Sequence, residues 1–268
     1  MNPFNPPKLW QSILLLAAGM ALGLLVPALF LLPLGVIFEI DQAAVTRIAL
    51  LVGEALLPVP ILIWAILRKY RLKEVFRFRA VRWNYICYTL MAGVGLLFVL
   101  DEIERLMAMF ITLPDYMQEL EALLRISDLP SALLLIMSIA VIGPLTEEMV
   151  FRGFFLHALE KNLKNATRAV VYTAVAFMIS HFNIYWALSI FAAGFLLSFA
   201  GWKTKSIWPS FLFHLVNNSL SLAFTHFEKS IDPLLSFHGH THPIVFLTGI
   251  FLLLYFMRKL TRLKTYES

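Results

Sequence analysis

Three short stretches carry side chains able to move a proton or to meet a developing negative charge. Gly143-Pro144-Leu145-Thr146-Glu147-Glu148-Met149-Val150-Phe151-Arg152-Gly153 holds two adjacent carboxylates and an arginine. Phe177 precedes His181 by one helical turn, and His214 precedes Asn218 by one turn. On a helix, Glu148 and Arg152 stand at i and i+4 with the acid first, the better order for an ion pair. Glu147 points about 100° away from that pair. One carboxylate is thus neutralised while its neighbour stays available, in surroundings that disfavour its charge. Such a group serves as a general base or acid. Pro144 has no N–H for the helix ladder and is expected to kink or widen the helix just before the pair. Blander readings stand beside these: an ion pair locking two helices for Glu148 and Arg152, and interhelical hydrogen bonds for the histidines.

The elements that position these residues are set by composition. Of 268 residues, 60% are hydrophobic and 15% charged, and the mean hydropathy is +0.78. Soluble domains run about 45–50% apolar and about 25% charged. This excess cannot be hidden inside a globule of such length, which excludes an ordinary soluble enzyme as well as disordered, collagenous and disulfide-scaffold classes. Cys87 is the single cysteine, so no internal disulfide forms. The expected fold is all-α, a polytopic membrane bundle of about eight transmembrane helices in a single integral-membrane domain, 1–268.

A membrane helix needs about 20 mostly apolar residues. Candidates lie near 10–36, 45–67, 84–100, 131–157, 167–183, 186–200, 206–224 and 243–258. The first exceeds a signal-peptide core in length and reads as a retained anchor. Basic residues recur in every second connection, beginning with the seven between Arg68 and Arg82, so that 17 of the 22 Lys and Arg fall on one side. Basic loops stay in the cytoplasm, which predicts cytoplasmic termini. The 68–82 cluster reads as juxtamembrane contact with anionic lipid rather than a nucleic-acid patch.

Ionisable groups inside a span cost at least about 2.5–3.5 kcal/mol each and mark function by default. Glu147, Glu148 and Arg152 share the fourth span, His181 lies in the fifth and His214 with Asn218 in the seventh. Glu54 in the second, followed by Pro58 and Pro60, either lines a cavity or bonds to a neighbour. Residues 101–130 form the longest polar insertion, read as an amphipathic outer helix acting as a lid or brace; Leu106, Met109, Phe110, Met117, Leu120 and Leu124 recur at helical spacing, and its acids include Glu119 and Glu121. His238, His240 and His242 form an outer loop that reads as solvent-exposed, with transition-metal binding as the alternative. His157 reads as interfacial, and Gly19 with Gly23 as a helix-packing face.

Glu147-Glu148-x-x-x-Arg152, Phe177-x-x-x-His181 and His214-x-x-x-Asn218, in that order on separate spans, resemble the CAAX-protease and bacteriocin-processing (CPBP, or Abi) intramembrane protease family, which includes the type II CAAX prenyl endopeptidases. The matching region is about 131–224. The resemblance implies catalytic residues inside the membrane, in a cavity open to the cytoplasm. It implies that Glu147 and His181 hold and activate a water, and that His214 and Asn218 stabilise the oxyanion. Glu148 and Arg152 would hold the fourth span in register, with Phe177 supporting the site. Family members have been described as metalloproteases and as metal-free glutamate proteases. Glu147, His181 and His214 could hold zinc with one open position, but Asn218 beside His214 reads as a donor pair, which favours metal-free hydrolysis. Neither H-E-x-x-H nor G-x-S-x-G is present. The expected substrate is a membrane-associated CAAX-like or leader peptide, the expected surroundings the lipid bilayer, and nucleic acid is not an expected partner. The alternative within the family is a non-catalytic scaffold or bacteriocin-immunity protein.

Overall fold

The computed structural model describes residues 2–112 and 114–266, apart from the side chains at 116 and 118–121. Those exceptions include Glu119, Leu120 and Glu121, so this part of the amphipathic face lies outside the described residues. The chain is an all-α polytopic bundle. Among the described residues six helices are long and apolar enough to cross a membrane: α1 (Leu9–Ile37), α2 (Gln42–Leu67), α3 (Trp83–Phe110), then α5 (Leu129–Leu163), α7 (Ala187–Thr204) and α9 (Pro243–Arg262). Between α3 and α5 runs the short amphipathic α4 (Asp115–Leu124). The fifth predicted span is α6 (Ala166–Ser180), apolar but shorter than the six. The seventh is α8 (Trp208–Leu235), 28 residues long, whose inner face carries His214, Asn217 and Asn218.

Burial sorts the helices into lipid-facing and central ones. Only 11% of the apolar stretch of α9 is buried inside the protein, against 44% for α7. The outward faces are leucine, isoleucine and phenylalanine, as bilayer contact requires: Leu24, Phe30 and Ile66, then Leu247 and Phe251. The core gathers Phe76, Phe151, Phe154, Phe177, Leu197 and Phe213. Gly19 and Gly23 pack within the bundle rather than outward: a Cβ on either would strike the backbone of Leu57 or Gly53 in α2.

The basic connections meet at one end. The Asn2 N–H donates to the Lys69 carbonyl and the Tyr266 N–H to that of Lys203. Asn162 donates to the Pro7 carbonyl. Arg77 forms a two-pronged bond with Glu160 at 3.0 and 2.8 Å, and Lys205 joins the same carboxylate. Burial presses the Lys205 ammonium below the usual lysine range, while Glu160 opposes that effect.

The other end corrects one expectation. Residues 101–110 are the last turns of α3, not a separate surface helix. Their acids are used there. Glu102 accepts from the Thr241 N–H at 2.7 Å and pairs with His240 at 2.9 Å, Glu104 accepts from Ser189, and Arg105 bridges Asp101 and Asp232. A two-residue hairpin, Ser236–Phe237 with His240–Thr241, packs on this end of α3. Helix α4 is tied down from α2 by Arg47, which donates to the carbonyls of Leu123 and Arg125.

Candidate active site

The helix that carries the paired glutamates changes its winding around them. In α5 a π-helical turn, Ile136–Ile142, leads into the α-turn Gly143–Glu148, and a second π-helical stretch follows at Met149–Phe155. Pro144 lies in the first turn of that central segment and gives no N–H. The wider turns accommodate the missing bond, and π-bulges of this kind recur at functional sites.

Glu148 is wholly buried, and one of its oxygens holds two donors. Arg152 Nη1 stands 2.7 Å from Oε1 and His214 Nδ1 2.9 Å from it. The pair has the i, i+4 spacing expected from sequence. A carboxylate oxygen only accepts, so the Nδ1 of His214 carries the hydrogen and a neutral ring keeps its lone pair on Nε2. That nitrogen faces Glu147 Oε2 at 3.6 Å, outside hydrogen-bond range in this state. Four groups therefore run in series: Arg152, Glu148, His214, Glu147.

Arg152 is the largest wholly buried side chain. Its Nη2 donates to the Gly194 carbonyl at 3.2 Å, and its guanidinium lies 4.2 Å from the centre of the Phe177 ring, a cation–π contact that strengthens out of water. Phe177 also meets Phe151, His181 and His214 edge-on at 5.2, 4.6 and 5.7 Å. Gly194 makes this approach possible: a Cβ there would stand 3.0 Å from Phe177 Cδ1.

Beside Glu147 lies a cavity of about 150 Å³ lined by Leu50, Glu54, Ser138, Ile139, Gly143, Glu147 and Asn218. A water occupies about 30 Å³ in the liquid, so a few waters fit. Asn218 donates one Nδ2 hydrogen to the Ile139 carbonyl at 2.9 Å, and its Oδ1 accepts from Asn217. The second Nδ2 hydrogen is not needed by either bond. Glu147 Oε2, Glu148 Oε2 and Arg152 Nε are buried without a hydrogen-bond partner among the described residues.

His181 follows the last residue of α6, and its Nδ1 donates to the Phe177 carbonyl at 2.8 Å. Of the four residues expected to share a pocket, Glu147 and Asn218 line one cavity and His214 stands against Glu147. His181 reaches the cluster through the Phe177 ring.

Residues 129–220 match the Rce1-like family of type II CAAX prenyl endopeptidases. The match runs from the start of α5 into α8 and contains every residue of the three motifs, as the resemblance to CAAX-type proteases required. It supports a CAAX-type intramembrane protease in general, and with the apolar helices an integral membrane protein. No curated protein and no solved structure matches the chain.

The side chains themselves speak against the zinc alternative for Glu147, His181 and His214. Among the described residues no three His, Cys, Asp or Glu side chains gather closely enough to hold a metal ion. His214 has its Nδ1 on Glu148, and His181 is bonded at the end of α6. Glu147, His181 and His214 do not fit zinc in this arrangement. In the outer loop His240 pairs with Glu102 and His242 caps α9 through the Ile244 N–H. His157 packs edge-on against Phe4. Of the two readings the sequence left open for Glu54, lining a cavity or bonding to a neighbour, the first holds: it lines the cavity with Glu147 and Asn218. Its signal was an acid within an apolar span, but only the packing of α2 on α5 shows that it faces the same cavity as Glu147.

Proposed function

We propose that the chain is an intramembrane endopeptidase that hydrolyses a peptide bond of a membrane-associated substrate, a CAAX-like or leader peptide, near the cytoplasmic face. The observation that carries this reading is the buried series Arg152–Glu148–His214–Glu147 ending on a cavity that also receives Asn218. A structural lock needs only the Arg152–Glu148 pair. Adding a histidine and a second, unpaired carboxylate to it increases the cost of burial without adding a bridge.

Glu147 acts as general base. It takes a proton from a water in the cavity while the water oxygen attacks the scissile carbonyl carbon. His214 receives or shares that proton through Nε2; Glu148 orients the ring through Nδ1 and, held by Arg152, favours the imidazolium that forms. The 3.6 Å gap to Glu147 closes when substrate excludes water, as catalytic hydrogen bonds commonly tighten in the reacting complex. The second Nδ2 hydrogen of Asn218 meets the oxyanion. This gives His214 the place beside Glu147 that the family resemblance assigns to His181. His181, across the Phe177 contact, contributes to holding the substrate. The clustering of basic connections at one end supports cytoplasmic termini.

Cells carrying Glu147→Gln in place of the wild-type chain provide the test. Mass spectrometry of small membrane peptides is expected to show one or more uncleaved peptides accumulating in the variant. Identical peptide profiles at equal protein levels would reject the reading.

A further inference from the structure

We propose that Glu54 is a further catalytic carboxyl of this site, positioning the attacking water across the cavity from Glu147. The proposal rests on the hydrolytic reading above and deepens it.

Three observations place Glu54 there. It lines the same 150 Å³ cavity as Glu147 and Asn218. Its side chain lies against Gly143, where a Cβ would stand in ordinary contact, 3.5 Å from Glu54 Cδ and 3.6 Å from Cγ. The groups that act on it are the Thr146 hydroxyl and the Glu147 carboxylate, both on the central turn of α5. Among the described residues no ion pair reaches Glu54, and an acid in an apolar span without a basic partner is costly and marks function by default.

Two carboxyls on one small, poorly solvated cavity repel unless a donor stands between them. A water does this by directing one O–H to each, which is also the arrangement that attack requires. One O–H bond then breaks toward Glu147 as the water oxygen bonds to the carbonyl carbon and the C=O electron pair moves to oxygen. The other O–H stays hydrogen-bonded to Glu54, fixing the direction of attack. When the C–N bond breaks, the proton held by Glu147 and His214 goes to the departing amine nitrogen. Position, rather than substrate affinity, is what Glu54 contributes.

The test uses the full chain in nanodiscs with a farnesylated CAAX peptide as probe. Glu54→Ala is expected to lower kcat at least tenfold with KM within twofold, and Glu54→Gln, which can still hold a water, to recover part of that loss. Wild-type kcat in Glu54→Ala beside an inactive Glu147→Gln would overturn the role of Glu54 and leave the hydrolytic reading intact. Undiminished cleavage by Glu147→Gln would instead reject Glu147 as the general base on which the proposal rests. A crystal structure fine enough to show ordered water decides the positioning without any substrate. A water bonded to both carboxyls supports it; carboxyls bonded only to protein groups overturn it.

Discussion

His214 gives its Nδ1 hydrogen to Glu148 Oε1 at 2.9 Å, the same oxygen that Arg152 holds at 2.7 Å. One wholly buried carboxylate thereby sets both a helix-locking ion pair and the orientation of an imidazole. The residue read from sequence as a structural acid also reaches into the chemistry, in the manner of the acid that orients histidine in hydrolase triads.

Separate contributions to fold and reaction follow for the two adjacent glutamates. Glu148→Gln leaves Arg152 buried without its counter-charge, and removing one partner of a buried pair costs about 3–5 kcal/mol. Glu147→Gln breaks no hydrogen bond among the described residues. Thermal unfolding in detergent is expected to show a clear drop for the first variant and none beyond the error for the second.

The two histidines are distinguished by rate. If His214 shares the proton of Glu147, His214→Ala costs about 10²–10⁴-fold in kcat, the usual range for acid–base groups. His181→Ala then acts mainly on KM. Steady-state kinetics of both variants check this, and the opposite ranking would return the activating role to His181.

Chelation tests whether hydrolysis proceeds without a metal. Purified chain treated with a strong chelator, then freed of it, is expected to keep its cleavage rate within twofold. Loss of activity restored by zinc alone would contradict the assignment.

A small pH effect is expected where α5 begins. The Asp128 carboxylate accepts from the Ser131 N–H at 2.8 Å, which holds it below the usual aspartate range. A lowered acid stabilises the folded form above its unfolded value and loses that contribution as pH falls through the folded one. Hydrogen exchange at the amides of 131 and 132 should accelerate, relative to the rest of α5, only at the acid end of that range.

The helices were legible because the apolar lengths are. Predicted spans 10–36 and 45–67 are α1 and α2 to within a few residues, and the i, i+4 pairing of Glu148 with Arg152 needed only helix geometry. Polar composition misled at 101–110. Asp101, Glu102, Glu104 and Arg105 look like a solvated surface until Thr241 and His240 of the hairpin, Ser189 of α7 and Asp232 of α8 arrive to pair with them. The same limit explains Glu54 and His214. Which acid faces which cavity, and which histidine meets Glu147, depends on how α2 and α8 pack on α5, and no spacing along the chain encodes that contact.

The central claim is that Glu147 activates water for peptide hydrolysis, and the most direct measurement is cleavage of a farnesylated CAAX peptide by the purified full chain, wild type beside Glu147→Gln, followed by mass spectrometry. The wild type is expected to give a product shortened by the C-terminal tripeptide, and the variant to form it at a rate at least about 10²-fold lower. Equal rates from two equally folded proteins would contradict it.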